Sequence, residues 1–187
     1  MESVNNLKQV NIIKYFLVIL LSTILLAVSA KFKIPFYPVP MTMQTFVFLL
    51  IGVCFGWKLG GAIVTIYLLE GIVGLPVFSG TPEKGSGIIY FTGPTMGYLI
   101  GFVLASMLCG IFKFDKNIIM SFLKLVLSVS IIYILGVIWL GTLIGWDKPI
   151  IQLGVTPFLF AELFKIGLLL MIITVFNSKL DSLKKWM

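Results

Sequence analysis

Residues 118–145 read IIMSFLKLVLSVSIIYILGVIWLGTLIG, an apolar run in which Lys124 is the one charged side chain. About twenty apolar residues cross the hydrocarbon core of a bilayer as a helix, so this run can span it with its first turns in the interface. Similar runs lie at residues 12–30, 41–57, 59–74, 90–112 and 150–177. The sequence therefore predicts an all-α integral membrane protein, a six-transmembrane-helix bundle that forms a single domain over residues 1–187.

The overall composition indicates that lipid is the main solvent of the chain. Hydrophobic residues make up 59% of the 187 residues and charged residues 11%, where soluble proteins carry about 25% charged residues. The mean hydropathy is +1.12. Too little polar surface remains to coat a water-soluble particle of this size, which excludes a soluble domain.

The basic residues are all lysines, 14 against seven acids, for a net charge of +7. Most of them lie between the apolar runs or near their ends and form no continuous basic face, so nucleic acid is not an expected partner. The chain has no histidine, which removes the commonest general base and metal ligand. Its two cysteines, Cys54 and Cys109, stand apart in separate apolar runs and form no CxxC pair. We therefore expect neither an enzyme nor a bound cofactor or metal.

The lysines also predict the orientation of the chain in the membrane. An even number of spans puts both termini on one side, and that side then holds nine lysines against four on the other. By the positive-inside rule, the richer side is the cytoplasm. The nine are Lys8, Lys14, Lys58, Lys113, Lys116, Lys124, Lys179, Lys184 and Lys185, and the four are Lys31, Lys33, Lys84 and Lys148. The end of the first span, residues 28–30, could also pass for a signal-peptide cleavage site; because five spans follow, we expect an uncleaved helix.

Small residues recur at intervals of four in several spans, which places each set on one helix face. Lipid tails are as apolar as leucine, so helices in a membrane associate through close backbone contact. We expect these faces to pack helices of this chain together, with a seam for another subunit as the alternative. The sets are Gly52, Gly56 and Gly60; Gly93, Gly97, Gly101 and Ala105; Gly141 and Gly145; and a weaker pair, Thr23 and Ala27.

Two loops on the predicted outer side have unusual compositions. The first, residues 31–44, contains Pro35, Pro38 and Pro40, which forbid a regular helix and favour an extended path. Its apolar side chains do not suit a freely solvated loop, so we expect a proline-rich lid that folds over the bundle. The second, residues 74–87, is rich in glycine, which permits turns and close approach to a ligand.

Apart from Lys14 and Lys124, which lie in the first turns of their spans, three ionisable residues lie within the predicted spans: Glu70, Glu162 and Lys165. Insertion of each costs roughly 2.5–3.5 kcal/mol at a helix centre. Glu162 and Lys165 are three positions apart and share a helix face. They form either a structural ion pair or a ligand site with one acceptor and one cationic donor, and we favour the ligand site. Such a site suits a small, largely apolar ligand with an N–H donor and an anionic end. Glu70 is interpreted as structural.

Three stretches of sequence carry a family resemblance. Residues 38–45 read PVPMTMQT, residues 67–78 read YLLEGIVGLPVF, and residues 93–102 read GPTMGYLIGF. They are similar, in the same order, to motifs of the BioY family, the biotin-binding S components of energy-coupling factor (ECF) transporters; the first resembles the family signature P-V-P-x-T-x-Q. The resemblance covers nearly the whole chain. It implies a six-helix protein of the prokaryotic cell membrane that captures biotin from outside.

The resemblance also implies which residues bind the ligand. In this family an acid of the sixth helix and the lysine three residues later contact the biotin head, and they match Glu162 and Lys165. The glutamine of the first signature matches Gln44. The loop after the third helix contributes contacts near Ser79, and Tyr90 is a further candidate.

The implied partners are a transmembrane T component and two cytoplasmic ATPase subunits, which would hydrolyse ATP for the transporter. Small residues on the first helix of S components dock the T component, which points here to Thr23 and Ala27.

Two features depart from the family pattern. The sixth-helix acid is commonly aspartate, so Glu162 is one methylene longer and puts the head-group position in doubt. The second outer loop carries Pro82-Glu83-Lys84, so its contacts transfer least well. A stand-alone, ion-coupled small-molecule permease is the alternative function, because six short spans with a buried acid and base permit it.

Overall fold

The computed structural model describes the backbone of residues 2–35, 37–80, 87–114 and 117–186, and side chains within residues 12–176 of these ranges and at 180. The described chain is almost entirely helical. Its helices are α1 (Glu2–Lys31), α2 (Gln44–Ile72), α3 (Met96–Ile111), α4 (Ile118–Ile144), α5 (Ile150–Gly154) and α6 (Leu159–Trp186), with short 3-10 turns at Gly87–Thr92 and Thr156–Phe158. Strands β1 (Lys33–Ile34) and β2 (Met41–Thr42) pair antiparallel.

Helix α2 contains two of the predicted spans, because the chain reverses at Gly56. This glycine has φ 76° and ψ 178°, a backbone conformation that side chains disfavour. A Cβ placed on Gly60 would lie 3.2 Å from the Cα of Gly52, whereas a straight helix would separate residues eight apart by about 12 Å. Segments 44–55 and 57–72 therefore run antiparallel, side by side.

The six-helix architecture predicted from the sequence is confirmed: α1, the two segments of α2, α3, α4 and α6. Within the part of the chain that the structure describes, four helices are long and apolar enough to cross a membrane, namely Ile12–Lys31 within α1, α2, α4 and the range Ile150–Phe176. Two predicted spans are more broken than expected. The fourth starts as a 3-10 turn, and α3 begins at Met96, just after Pro94; the sixth is interrupted at Thr156–Phe158, where Pro157 has no N–H to continue a helix.

Glycines of two predicted stripes, Gly52 with Gly60 and Gly97 with Gly101, pack helices of this chain against one another as expected, whereas a Cβ on Gly141 or Gly145 would meet only Trp146 or Asp147 just after α4. A Cβ on Gly97 would collide with the carbonyl of Leu135, and one on Gly101 would lie 2.7 Å from the Cα of Ile132 on α4. A Cβ on Gly110 would meet the backbone at the Gly56 reversal. These glycines let backbones approach at a distance that any side chain would prevent.

The first outer loop forms a short hairpin that is tied to the second outer loop. Lys33 pairs with Thr42 across the two strands. At the end of α1, Lys31 Nζ donates to the carbonyls of Pro76 (2.7 Å) and Phe78 (2.9 Å). Lys33 Nζ donates to the carbonyl of Ser79 at 2.6 Å. That this loop acts as a lid over the bundle stays a prediction; in the structure these bonds tie it to the second loop.

Candidate functional site

A cavity lies under the hairpin, between the start of α2, the outer parts of α3 and α4, and the start of α6. Its volume is about 50 Å³, counted as space open to the centres of water molecules, so it has room for a few of them. The five residues that the sequence predicts as ligand-binding all line it: Gln44, Ser79, Tyr90, Glu162 and Lys165. Lining residues that the prediction missed include Thr42, Thr45, Thr95, Tyr133 and Phe158.

Glu162 and Lys165 form a buried ion pair in the first turns of α6. Lys165 Nζ donates to Glu162 Oε1 at 2.7 Å, and the side chains are 4% and 7% exposed respectively. The break at Pro157 starts α6 just before Glu162, which puts the carboxylate at the positive end of the helix dipole. Its second oxygen, Oε2, has no hydrogen-bond partner among the described residues. A buried carboxylate oxygen without a donor is costly, so this atom is a ready acceptor for a ligand N–H.

Gln44 is held at the start of α2 by two hydroxyl groups. Its Nε2 donates to the hydroxyl of Tyr67 at 2.7 Å, and Thr42 Oγ1 donates to its Oε1 at 3.1 Å. The side chain is 3% exposed. A side-chain amide has two N–H donors and two lone pairs on its oxygen, so Gln44 keeps one N–H and one lone pair for a ligand.

Ser79 and Tyr90 bring the second outer loop into the site. Their hydroxyl oxygens lie 3.2 Å apart, and both residues are buried. Phe78 stacks on Tyr90 with ring centroids 4.8 Å apart. The ring of Phe78 occupies the space that a side chain at Gly71 would fill, so the glycine of the YLLEG motif allows this loop to reach the cavity.

The opposite wall of the cavity carries two tyrosines, Tyr98 and Tyr133. Tyr98 donates from its hydroxyl to the carbonyl of Gly154 at 2.9 Å, which connects α3 to the end of α5. Tyr133 on α4 lies within electrostatic reach of Glu162. Tyr98 falls in the GPTMGYLIGF stretch, which was a usable signal; Tyr133 lies in an apolar run with nothing to mark it.

Two further sequence predictions concern the second outer loop and the T-component contact on α1. Pro82-Glu83-Lys84, the departure from the family pattern, lies outside the described residues. Thr23 is 2% exposed, with its hydroxyl donating to the carbonyl of Leu20, and Ala27 is half-buried. The predicted contact of these two with a T component stays a prediction, and as the helices stand only Ala27 is accessible to it.

The lining is suited to noncovalent binding of a small molecule. It offers a carboxylate acceptor, an ammonium donor, an amide and several hydroxyls, with aromatic and aliphatic walls, the usual make-up of a specific ligand pocket. Among the residues that the structure describes, no three His, Cys, Asp or Glu side chains come together as metal ligands.

The fold and the cavity together define a multi-pass helical membrane protein with a small cavity of polar, aromatic and aliphatic side chains beneath the hairpin of residues 33–42. A model of the BioY family matches residues 3–182. The chain belongs to the BioY family, as the sequence motifs predict.

Several relatives are similar over most of their length. The probable biotin transporter BioY of Pyrococcus horikoshii is 36% identical over 141 residues, 75% of this chain and 82% of that protein. The biotin transporter BioY of Thermotoga maritima is 37% identical over 145 residues, 77% of this chain and 84% of that protein. A crystal structure of the S-component for biotin from an ECF-type ABC transporter has a TM-score of 0.74 at 23% identity, over 90% of this chain and 93% of that one. This likeness supports the six-helix fold.

Proposed function

We propose that this protein is the high-affinity biotin-binding S component of an ECF-type vitamin transporter. The observation that carries the proposal is the Glu162–Lys165 pair, which is buried in a cavity together with Gln44, Ser79 and Tyr90. Membership of the BioY family and the names of its relatives, biotin transporters, point to the same ligand.

The chemistry of biotin suits the donors and acceptors of this cavity. Its cyclic urea carries N–H donors beside a carbonyl acceptor. Glu162 Oε2 would accept from an N–H group, and Lys165 would donate to the carbonyl. In a site shielded from water, such charge-assisted bonds are stronger than in solution. The cavity as it stands has room for only a few water molecules, so it must widen as the ligand enters. Its aromatic and aliphatic walls would then hold the ring system and the alkyl chain.

Transport requires further subunits in this proposal. A transmembrane T component and two ATPase subunits would supply coupling and ATP hydrolysis, so this chain itself would not be an enzyme. Ala27 and, after some rearrangement of α1, Thr23 would contact the T component. We also propose that both termini face the cytoplasm, which puts the cavity on the outer side, where the ligand arrives. Co-purification of the tagged chain with both kinds of subunit is the expected result.

Equilibrium binding of biotin to the purified protein tests the central claim. We expect saturable binding with Kd below about 1 μM, equivalent to about −8 kcal/mol, and competition by unlabelled biotin. Absence of saturable binding below that concentration would overturn the proposal. Uptake by this chain alone in proteoliposomes, driven by a proton gradient, would instead identify the stand-alone permease.

A further inference from the structure

Tyr67 lies behind the cavity and contacts it only through another residue. It is fully buried on segment 57–72 and is absent from the cavity lining. Its hydroxyl accepts from Gln44 Nε2 at 2.7 Å and donates to the carbonyl of Val77 at 2.8 Å. The ring is held edge-on by Phe48 and Phe78, with centroids 6.0 and 5.4 Å away.

These bonds can run in one direction only. The carbonyl of Val77 cannot donate, so the hydroxyl proton of Tyr67 must point at it. The Tyr67 oxygen must then accept from Gln44, which requires the amide nitrogen and not the amide oxygen to face it. A flipped amide would place two lone pairs against each other in a buried setting, where an unmade hydrogen bond is costly.

The hydroxyl of Thr42 is compatible with this orientation at the opposite end of the amide. It donates to Gln44 Oε1 at 3.1 Å, while the backbone N–H of Gln44 approaches the same hydroxyl at 3.4 Å. The buried carbonyl of Val77 thus sets the hydroxyl of Tyr67, and the hydroxyl sets which end of the Gln44 amide offers a donor to the cavity.

We infer that Tyr67 is a positioning residue for ligand binding: through its directional bonds to Val77 and Gln44, it fixes the amide orientation that the ligand meets. The inference rests on the proposed function, since biotin is the ligand used to test it. A purely structural tyrosine, one that only anchors the loop of residues 76–79, is the competing explanation.

A double-mutant cycle separates the two explanations. We expect Tyr67→Phe to weaken biotin binding about three- to tenfold, the effect of one net hydrogen bond, because the phenylalanine ring keeps the aromatic contacts but frees the amide. In a Gln44→Ala background, the same substitution should change Kd less than about twofold, since nothing remains to be oriented. Thr65→Val is the matched control: it removes a hydroxyl that donates to the carbonyl of Gly61 on the same segment, and should leave Kd unchanged.

The outcomes are distinct. A loss that persists in full in the Gln44→Ala background would overturn the positioning role and leave biotin binding intact. Failure of the unmodified protein to bind biotin would overturn the proposed function itself. Should Tyr67→Phe not fold, Tyr67→4-aminophenylalanine keeps a donor for the carbonyl of Val77 but presents an N–H to Gln44. Weakened biotin binding that disappears in the Gln44→Ala background supports the inference, and unchanged binding contradicts it.

Discussion

Lys165 Nζ and Glu162 Oε1 lie 2.7 Å apart, and the two side chains are only 4% and 7% exposed. Taking both charges out of water costs several kcal/mol per ion, and their attraction repays this only when the remaining polar atoms are also satisfied. Here Glu162 Oε2 is not satisfied within the described chain. The pair is therefore better explained by ligand binding than by stability.

Removal of the Glu162 charge is expected to weaken both binding and folding. Glu162→Gln keeps the shape of the side chain but leaves Lys165 buried without a counter-ion, and breaking a buried pair costs about 3–5 kcal/mol. We expect biotin affinity to fall at least about tenfold, measured by isothermal titration calorimetry. Glu70→Gln, a partly exposed glutamate outside the cavity lining, is the control and should bind normally. Unchanged affinity of Glu162→Gln would remove this residue from the site.

Replacement of the whole pair should separate stability from binding. In the double variant Glu162→Leu with Lys165→Met, no uncompensated charge is left, and apolar replacements of buried pairs are often neutral or stabilising. We expect the thermal midpoint in detergent to return to at least that of the unmodified protein, while biotin binding stays lost. Recovery of binding in the double variant would contradict a direct role for either side chain.

The sequence was sufficient to predict those site residues whose charged or polar side chains are energetically costly to bury in a membrane. Glu162 and Lys165 stand out because a charge in an apolar span needs a reason, and Gln44 stands out through its motif. The bonds of Lys31 and Lys33 to loop carbonyls were not predicted. Lysines at the end of a span are read as signals of membrane orientation, and a sequence does not show which backbone carbonyls they will meet. Tyr67 was missed as a site residue for a similar reason: in sequence a buried tyrosine looks like any core aromatic residue.

Close packing of α3 on α4 should depend on Gly101. A Cβ there would lie 2.7 Å from the Cα of Ile132, and backbone cannot yield as a side chain can. We expect Gly101→Ala to destabilise the protein by about 1–3 kcal/mol, the usual cost of overpacking, seen as a lower thermal midpoint. Gly167→Ala on α6 is the control, because nothing lies within 4 Å of its added Cβ; it should be neutral or slightly stabilising. Equal effects of the two would rule out the packing explanation.

The bond from Lys33 to the carbonyl of Ser79 should slow release of the ligand. It joins the hairpin to the second outer loop above the cavity, so Lys33→Met should let the two loops separate more often. We expect the dissociation rate of biotin to rise about two- to fivefold, measured by chase with unlabelled ligand. Lys148→Met is the control, because Lys148 has the same charge and lies on the same predicted side of the membrane. Its side chain is 57% exposed beside Asp147, so this substitution should not change the rate. An unchanged rate for Lys33→Met would argue against a lid held by this bond.

The orientation of the chain can be tested at two exposed lysines. Lys58 follows the Gly56 reversal on the predicted cytoplasmic side, and Lys148 lies in the loop between α4 and α5 on the predicted outer side. With Cys54 and Cys109 replaced by alanine, a cysteine at position 148 should react with a membrane-impermeant maleimide on intact cells. A cysteine at position 58 should react only after the membrane is opened, because the lysine-rich side stays in the cytoplasm. The opposite pattern would invert the topology and place the cavity on the cytoplasmic side, where it could not capture biotin from outside.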